Sequence, residues 1–299
     1  MQEASWDFRK NGRDYIYRIV EKKRLAPDIV RIEVEAPLVA RKAISGQFVI
    51  IRLKEGGERI PLTISGSDPK KGLITIIFQE IGKTTIELGR MEEGESILNL
   101  VGPLGMPAEL KNFGTVVCVG GGVGIAPILY RVKALKSVGN RVISIIGARN
   151  KDLLILHNEM KELSDELHIA TDDGTLGRKG FVTDVLDEVL AENRVDLIIA
   201  IGPVVMMRAV TGVGSAHGVR TVVSLNPIMV DGTGMCGSCR VTVGKKVRFA
   251  CVDGPEFDGE FVDFDELLQR NRRYLKEEAA SLMVMRAGRC TCFEETGCE

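Results

Sequence analysis

The stretch GTVVCVGGGVGIAPIL, residues 114–129, constrains the fold of this chain more than any other. A short apolar run is followed at once by four glycines and then by apolar residues at helical spacing. The pattern predicts a buried strand, a tight turn and a helix, and a second buried strand, VISIIGA, follows one helix length later. A strand that is joined to the next by a helix runs parallel to it, so the chain contains a parallel sheet.

The residues before this stretch follow a different pattern. Their apolar residues alternate or form short runs such as QFVIIRL and LITIIFQE, separated by Gly, Pro and Asp turns. This pattern predicts short antiparallel strands that close into a small barrel. After residue 112, strands and helices alternate until about residue 225, as is typical of an α/β domain.

Charge and hydropathy exclude several classes of partner. The chain has 40 basic and 41 acidic residues, so no overall field attracts nucleic acid or an anionic membrane, and we expect neither as a partner. The polar N-terminal residues do not read as a signal peptide, and no apolar run reaches the ~18 residues of a membrane span. We therefore expect a cytoplasmic protein.

The cysteines are concentrated in one part of the chain. Six of the seven follow residue 235, and the seventh, Cys118, lies in an apolar strand and is expected in the core. An odd number at this spacing favours reduced thiols that bind metal over a disulfide framework. Cys236 and Cys239 belong to the glycine-rich stretch DGTGMCGSC, and Cys251 to KKVRFACVDG, which we predict to be a strand.

Three short motifs have residue types that suit bound phosphates. The glycine turn and the helix N-terminus after it would present free N–H groups to a pyrophosphate, although a tight turn without a ligand explains the same glycines. GERIPLTIS and GKTTIEL combine one cation, hydroxyls and exposed amides, which suit a diphosphate and the edge of a flavin ring. Each of these two alone would more often be a strand and a helix cap.

Taken together and in this order, the motifs carry a resemblance. R-x-P-[LY]-[TS], G-x-x-[ST], GGGVGIAP, GARN, TDDG and IGPVVMM resemble the ferredoxin–NADP reductase superfamily over roughly residues 12–225. With the cysteine segment added, the chain resembles the electron-transfer subunits of dihydroorotate dehydrogenase. It resembles still more closely the small subunits of the electron-bifurcating NADH-dependent reduced ferredoxin:NADP oxidoreductases, also called sulfide dehydrogenase.

The resemblance implies a multidomain fold and three cofactors, FAD, NAD(H) and a [2Fe-2S] cluster. The implied parts are an FAD-binding antiparallel β-barrel (1–111), a Rossmann-like α/β domain for NAD(P) (112–225), a small cluster segment (226–263), and a C-terminal helix with a cysteine-containing tail (264–299). We expect the helix to extend from about Phe264 to Gly288 and to pack on a partner or on the cluster segment. Intramolecular packing alone is the competing interpretation.

The resemblance also assigns cofactor residues to this sequence. For FAD they are Arg59, Pro61, Leu62, Thr63, Ser65, Gly82, Lys83, Thr84 and Thr85. For NAD(H) they are Gly122, Gly124, Pro127, Ala148, Arg149, Asp172, Asp173, Gly202, Pro203 and Met206. The two aspartates could equally belong to a solvated loop. No catalytic acid or base is expected, because hydride passes directly between nicotinamide and flavin.

Four residues are candidate cluster ligands. Plant-type clusters use a cysteine, four residues, a cysteine, two residues, a cysteine and a distant cysteine. The position four residues before Cys236 is Asp231, which predicts Asp231, Cys236, Cys239 and Cys251 as the ligands. Zinc on the same residues is one alternative. Another is that a tail cysteine is the fourth ligand and Asp231 is an ordinary turn residue. Cys290, Cys292 and Cys298 could bind a further metal or belong to a mobile end.

The implied function is that of an NAD(P)H-dependent flavin oxidoreductase subunit. It would exchange hydride with NAD(H) and pass electrons to or from a large flavoprotein and iron–sulfur subunit in a heterodimer. The alternatives are an electron-transfer subunit of dihydroorotate dehydrogenase or of another oxidoreductase, and a flavin-binding sensor or scaffold without turnover.

Overall fold

The computed structural model describes residues 17–286, which form three sheets and nine α-helices. The strands are β1 Tyr17–Ala26, β2 Ile29–Glu35, β3 Phe48–Arg52, β4 Ile60–Asp68, β5 Leu73–Gln79, β6 Ser96–Ile97, β7 Asn99–Leu104, β8 Thr115–Gly121, β9 Arg141–Ala148, β10 Glu166–Thr171, β11 Arg178–Lys179, β12 Leu197–Ile201, β13 Thr221–Ser224, β14 Arg240–Val243, β15 Lys246–Phe249 and β16 Glu256–Asp258. The helices are α1 Pro37–Ala40, α2 Lys83–Arg90, α3 Ile125–Ser137, α4 His157–Leu163, α5 Val182–Glu192, α6 Val204–Ala216, α7 Ala250–Asp253, α8 Phe264–Asn271 and α9 Leu275–Arg286.

The first sheet is the predicted antiparallel barrel. Its strand order is β6-β1-β2-β5-β4-β3-β7, and the end strands β6 and β7 follow one another in the chain, so the barrel is nearly closed. Alternate residues point inward, as Ile32, Val34, Ile74 and Ile76 do, and all four are fully buried. The alternation seen in the sequence therefore becomes the interior of the barrel.

The second sheet confirms the predicted α/β domain. Strands β8, β9, β10, β12 and β13 are parallel, with β8 in the centre of the order β11-β10-β9-β8-β12-β13-β16. From β8 the chain first adds β9 and β10 on one side and then β12 and β13 on the other. Cys118 is fully buried in β8, as predicted.

The cysteine segment leaves the second sheet and returns to it. The chain leaves β13, forms the glycine-rich loop and the hairpin β14–β15, and returns as β16, which pairs antiparallel with β13. The prediction that KKVRFACVDG is one strand was wrong at its end. β15 stops at Phe249 and Cys251 lies on the short helix α7, because the Asp253 carboxylate accepts a hydrogen bond from the Phe249 N–H at 2.7 Å and turns the chain.

The C-terminal region forms two helices, whereas the sequence had predicted one from Phe264 to Gly288. Helix α8 ends at Asn271 and α9 begins at Leu275. Polar residues QRNRR occupy the junction, so no apolar face continues across it, and the Asn271 side chain donates to the Asn226 carbonyl. Helix α8 packs on β14 and α6, whereas α9 lies beside α2 and buries none of its residues. Gly288 lies outside the described residues.

A buried arginine connects the three parts of the molecule. Arg131 on α3 is 2% exposed, and its Nη2 donates to the Glu109 carbonyl, between barrel and α/β domain, at 2.6 Å. Its Nε lies 3.6 Å from Glu256 Oε1, on the strand that closes the cysteine segment. Burial raises the pKa of Glu256, and the nearby guanidinium opposes this shift. Arg131 thus links α3 to the segment that follows the barrel and to the strand that closes the cysteine segment.

No α-helix between residues 17 and 286 combines the length and the apolar character needed to span a bilayer.

One surface carboxylate gives a pH-dependent contribution to stability. A hydrogen bond from Lys136 lowers the pKa of Asp165, and the Val142 N–H adds to this effect at 2.7 Å. A lowered pKa stabilises the fold above the carboxyl's unfolded value, and this contribution is lost as the pH falls through the folded value. We expect Asp165→Asn to reduce the free energy of unfolding at neutral pH by up to about 1 kcal/mol, since the pair is partly solvated.

Urea unfolding as a function of pH tests this expectation. The difference between wild type and Asp165→Asn should shrink as the pH drops below about 4, where the unfolded carboxyl becomes protonated. Glu162→Gln, on the exposed side of α4, is the matched control and should show no such trend. A constant difference at every pH would contradict the assignment.

Candidate functional site

A wide cleft lies at the carboxyl ends of the parallel strands. It has a volume of about 580 Å³ and is bounded by the ends of β8, β9, β10 and β12. It sits where the strand order changes direction on either side of β8, which is where open α/β sheets bind ligands. The position and size suit a dinucleotide.

The structure brings six of the predicted NAD(H) residues to this cleft. They are Gly122, Ala148, Arg149, Asp172, Pro203 and Met206. They come from the ends of four strands, β8, β9, β10 and β12, so residues far apart in sequence meet in one cavity.

Four other predicted residues do not line the cleft. A Cβ on Gly124 would lie 2.3 Å from the Ile201 carbonyl oxygen, so this glycine lets the turn pack against β12. A Cβ on Gly202 would lie 2.7 Å from Cε of the Met206 side chain. Pro127 lies in the first turn of α3. Asp173 closes its own loop by accepting hydrogen bonds from the Thr175 hydroxyl and N–H, and the hydroxyl bond is the main reason its pKa is lowered.

Sequence reasoning missed residues that line the same cleft. Ile29 and Gln79 come from the barrel, so the cleft opens between the two domains. Phe181 and Val205 are large apolar side chains that remain 64% and 63% exposed at its edge. In the sequence, the signal available for Phe181 was an aromatic residue directly before a helix. The barrel residues carried no local signal, because only the tertiary fold brings them here.

The predicted flavin residues lie on β4 and at the start of α2. Arg59 precedes β4, and Thr63 pairs with Phe48 of β3. Gly82 is the N-cap of α2, and its N–H donates to the Thr85 hydroxyl at 2.9 Å. The Thr84 hydroxyl donates to the Glu58 carboxylate. The hydroxyls of both threonines are therefore already used within the protein, which leaves the amides of the first helical turn to receive a phosphate.

Ser65 points to a different place from the other predicted flavin residues. It lines a groove of about 410 Å³ between the barrel and helices α3 and α4, together with Tyr130 and Lys133. Its buried hydroxyl oxygen has no hydrogen-bond partner among residues 17–286. The structure therefore separates Ser65 from the helix N-terminus at α2.

Two cysteine sulfurs lie together in the cysteine segment. Cys239 and Cys251 are each 2% exposed and their sulfur atoms lie 3.2 Å apart without forming a disulfide. Cys236 is exposed and lies within electrostatic range of Cys251. Burial, with the neighbouring Cys239, raises the pKa of the Cys251 thiol to about 12, while the Gly234 N–H opposes this by donating to it. A nearby cation is therefore needed to hold the Cys251 sulfur as a thiolate at neutral pH.

Asp231 lies at the start of the same loop, half-buried. Its Oδ2 accepts hydrogen bonds from the Thr233 hydroxyl at 2.6 Å, the Thr233 N–H at 2.9 Å and the Met235 N–H at 3.3 Å. These bonds, led by the Thr233 hydroxyl, lower the pKa of Asp231, and Arg59 adds a smaller effect. The carboxylate is thus ionised and held in place, as both a ligand and a turn residue would be.

The donor set suits the two irons of a [2Fe-2S] cluster. Within residues 17–286, no three His, Cys, Asp or Glu side chains are gathered closely enough to bind a single ion. A [2Fe-2S] cluster instead needs two ligands at each of two irons. Cys239 and Cys251 form one such close pair, and Asp231 with Cys236 would form the other. Three thiolates with one carboxylate are a mixed soft and hard set that iron accepts.

The cysteine loop rests on the barrel. Gly232 has a φ of +81°, and a Cβ there would lie 2.7 Å from Ile50 Cγ1 and 2.8 Å from Leu104 Cδ1. Only glycine combines this left-handed backbone with this close approach. The candidate cluster site therefore lies directly on strands β3 and β7. Cys290, Cys292 and Cys298 lie outside the described residues.

Two family models match this chain. Residues 226–263 match the iron–sulfur cluster binding domain of dihydroorotate dehydrogenase B, and residues 118–212 match the oxidoreductase NAD-binding domain. The first range contains the four predicted ligands, and the second contains the glycine turn and most of the cleft.

Similar proteins match nearly the whole chain. A dihydroorotate dehydrogenase B (NAD(+)) electron transfer subunit homolog from Thermotoga maritima is 50% identical over 270 residues, which is 90% of this chain and 95% of the relative. The corresponding electron transfer subunit from Bacillus mycoides is 34% identical over 82% of this chain and 96% of its own length.

A solved structure is also similar to this chain over nearly its whole length. It is a chain from the NADH-dependent reduced ferredoxin–NADP oxidoreductase described for flavin-based electron bifurcation, with 48% identity and a TM-score of 0.87. The match covers 92% of this chain and all of that one. The chain therefore belongs to the family of dihydroorotate dehydrogenase B electron-transfer subunits and their homologues.

Proposed function

We propose that this chain is the electron-transfer subunit of an electron-bifurcating ferredoxin:NADP oxidoreductase. It exchanges hydride with NAD(H) at FAD and passes electrons through a [2Fe-2S] cluster to or from a large flavoprotein subunit in a heterodimer. This chain is 48% identical to a chain of such an enzyme and 34% identical to the dihydroorotate dehydrogenase B electron transfer subunit from Bacillus mycoides. The higher identity supports the first choice over the second. The free thiols of Cys236, Cys239 and Cys251 support a reducing, cytoplasmic location.

One observation carries the proposal: the barrel contacts both of the other candidate sites. The cleft at the carboxyl ends of the parallel strands opens onto Ile29 and Gln79 of the barrel. The cysteine loop packs through Gly232 onto Ile50 and Leu104. The barrel also carries the predicted flavin residues, so a flavin held there would belong to the domain that contacts both sites. When bound, FAD supplies the exchange between two-electron hydride chemistry and one-electron transfer.

The protein's own groups would bind and orient NAD(H) and FAD. The turn at Gly122 and the N-terminus of α3 offer N–H groups and a positive dipole to the NAD(H) pyrophosphate. The first turn of α2 does the same for the FAD pyrophosphate, with Lys83 and Arg59 supplying cations. Phe181 and Val205 cover the edge of the dinucleotide cleft and reduce its contact with water.

The direct test is electron flow in the isolated chain with FAD and cluster loaded. Anaerobic NADH should bleach the flavin absorbance and then produce the EPR signal of a reduced two-iron cluster. An artificial one-electron acceptor should then be reduced continuously. A sensor or scaffold would bind flavin without this turnover. Purification of the tagged chain from its own cells should also yield a flavoprotein and iron–sulfur partner.

We expect NADH to be preferred over NADPH. Arg149 lines the cleft and Lys151 follows it, but Asp152 stands next to them and repels a 2′-phosphate. Stopped-flow reduction of the flavin should be at least about tenfold faster with NADH than with NADPH at equal, subsaturating concentration. Asp152→Asn should narrow the difference. Faster reduction by NADPH would contradict this assignment.

A further inference from the structure

Arg270 is a buried charge for which the proposed electron path gives no role. It lies on α8, is 8% exposed, and its Nη2 donates to the Ser238 carbonyl at 3.0 Å. Its Nε is buried and donates to no acceptor within residues 17–286. A buried guanidinium with an unpaired N–H is costly unless a negative group lies nearby.

The groups around Arg270 belong largely to the cysteine segment. Ser238, whose carbonyl it holds, lies between Cys236 and Cys239. Burial, together with the nearby charges of Arg240 and Arg273, lowers the pKa of Arg270, whereas Glu266 and Cys239 oppose this shift. Of the two favourable neighbours, Cys239 is buried and is a candidate cluster ligand.

Helix α8 holds the guanidinium in this place. Leu267, one turn earlier, is 1% exposed and belongs to the core of the α/β domain. Asn271, the next residue, donates to the Asn226 carbonyl at 3.4 Å, at the start of the cysteine segment. The burial of Leu267 and the hydrogen bond of Asn271 therefore hold the Arg270 guanidinium in its position.

We propose that Arg270 is a positioning residue that fixes the cysteine loop through Ser238 and raises the reduction potential of the cluster. The inference rests on the proposed function, because it requires a [2Fe-2S] cluster at Cys236, Cys239 and Cys251. One-electron reduction adds one negative charge to the cluster and its thiolates, without a proton or a new bond. A fixed cation in a region of low dielectric stabilises the reduced form more than the oxidised form.

The test is an EPR-monitored redox titration of the full-length, cluster-loaded protein with dithionite as the electron donor. We expect Arg270→Gln, which keeps a hydrogen-bond donor but removes the charge, to lower the equilibrium constant for one-electron reduction about tenfold, or about 59 mV. Arg270→Lys keeps the charge and should stay close to wild type. Arg273→Gln is the matched control, because Arg273 is exposed to solvent and should have a much smaller effect.

The outcomes separate this inference from the proposed function. An Arg270→Gln protein with a full cluster and an unchanged potential would overturn the role of Arg270. Loss of the cluster from both Arg270→Gln and Arg270→Lys would also overturn it, since it would indicate a role in folding alone. Loss from Arg270→Gln with retention in Arg270→Lys would support the need for the charge. A wild-type protein that binds no two-iron cluster would instead refute the proposed function.

Discussion

Replacing Gly124 with alanine is expected to weaken NADH binding by at least about tenfold and to destabilise the α/β domain. The φ of Gly124 is −62°, so the backbone itself accepts alanine. The new Cβ would lie 2.3 Å from the Ile201 oxygen and 2.9 Å from Gly202 Cα, and both are backbone atoms that no side-chain rotation can move. Such overpacking typically costs about 1–3 kcal/mol. Relief requires the glycine turn to move away from β12, next to Pro203 and Met206 of the cleft.

Gly212→Ala is the matched control for this prediction. Gly212 lies inside α6, and a Cβ there would meet no atom within 4 Å. Alanine should therefore stabilise the helix by about 0.5–1 kcal/mol without affecting NADH. The measurements are urea unfolding and the NADH concentration dependence of flavin reduction. Equal behaviour of the two variants would mean that the close approach of the turn to β12 does not matter.

Asp231→Cys is expected to retain a two-iron cluster with a changed midpoint potential and EPR signal, whereas Asp231→Ala should lose most of it. A carboxylate is a harder donor than a thiolate, so exchanging them alters the electron density at iron. A chain that ends at Gly288 should keep the wild-type cluster, because the prediction does not need Cys290, Cys292 or Cys298. Iron and sulfide analysis with an EPR redox titration measures all three proteins.

Asp231→Asn separates a ligand from a turn residue. The amide oxygen can accept the same hydrogen bonds from Thr233 and Met235, but it is a poor replacement for a carboxylate at iron. We expect this variant to resemble Asp231→Ala in cluster content. If Asp231→Asn and Asp231→Ala both kept the wild-type spectrum and potential while truncation after Gly288 abolished the cluster, a tail cysteine would be the ligand.

The sequence predicted the fold where local patterns decide it. Alternation gave the barrel, and the strand–glycine–helix stretch gave the parallel sheet, because both periodicities are properties of neighbouring residues. GKTTIEL, which suits a helix cap, lies at the start of α2. The break between α8 and α9 was missed, although the polar run QRNRR at the junction is visible in the sequence; the contact between Asn271 and Asn226, which are distant in sequence, is not.

The site was predicted less completely than the fold. The family resemblance pointed to Arg149 and Met206, and residue type pointed to the cysteines, but neither separated lining from packing roles. Gly124 was predicted to face the pyrophosphate, and its close contact with Ile201 appears only when β12 is placed beside it. Ser65 continues the motif along β4, yet that strand carries it to another groove. The ligand and cofactor roles of individual residues remain predictions.

The pairing of β13 with β16 has a consequence for how the protein acquires metal. The whole cysteine segment is an excursion between two strands that are hydrogen-bonded neighbours, with Ser224 opposite Glu256. The ends of the segment are therefore already joined at the spacing of adjacent strands, about 4.8 Å. The loop is therefore closed, with its cost in chain entropy, when the sheet folds and not when iron binds. Iron has only the interior of the loop left to order, so assembly of the cluster can follow folding of the polypeptide.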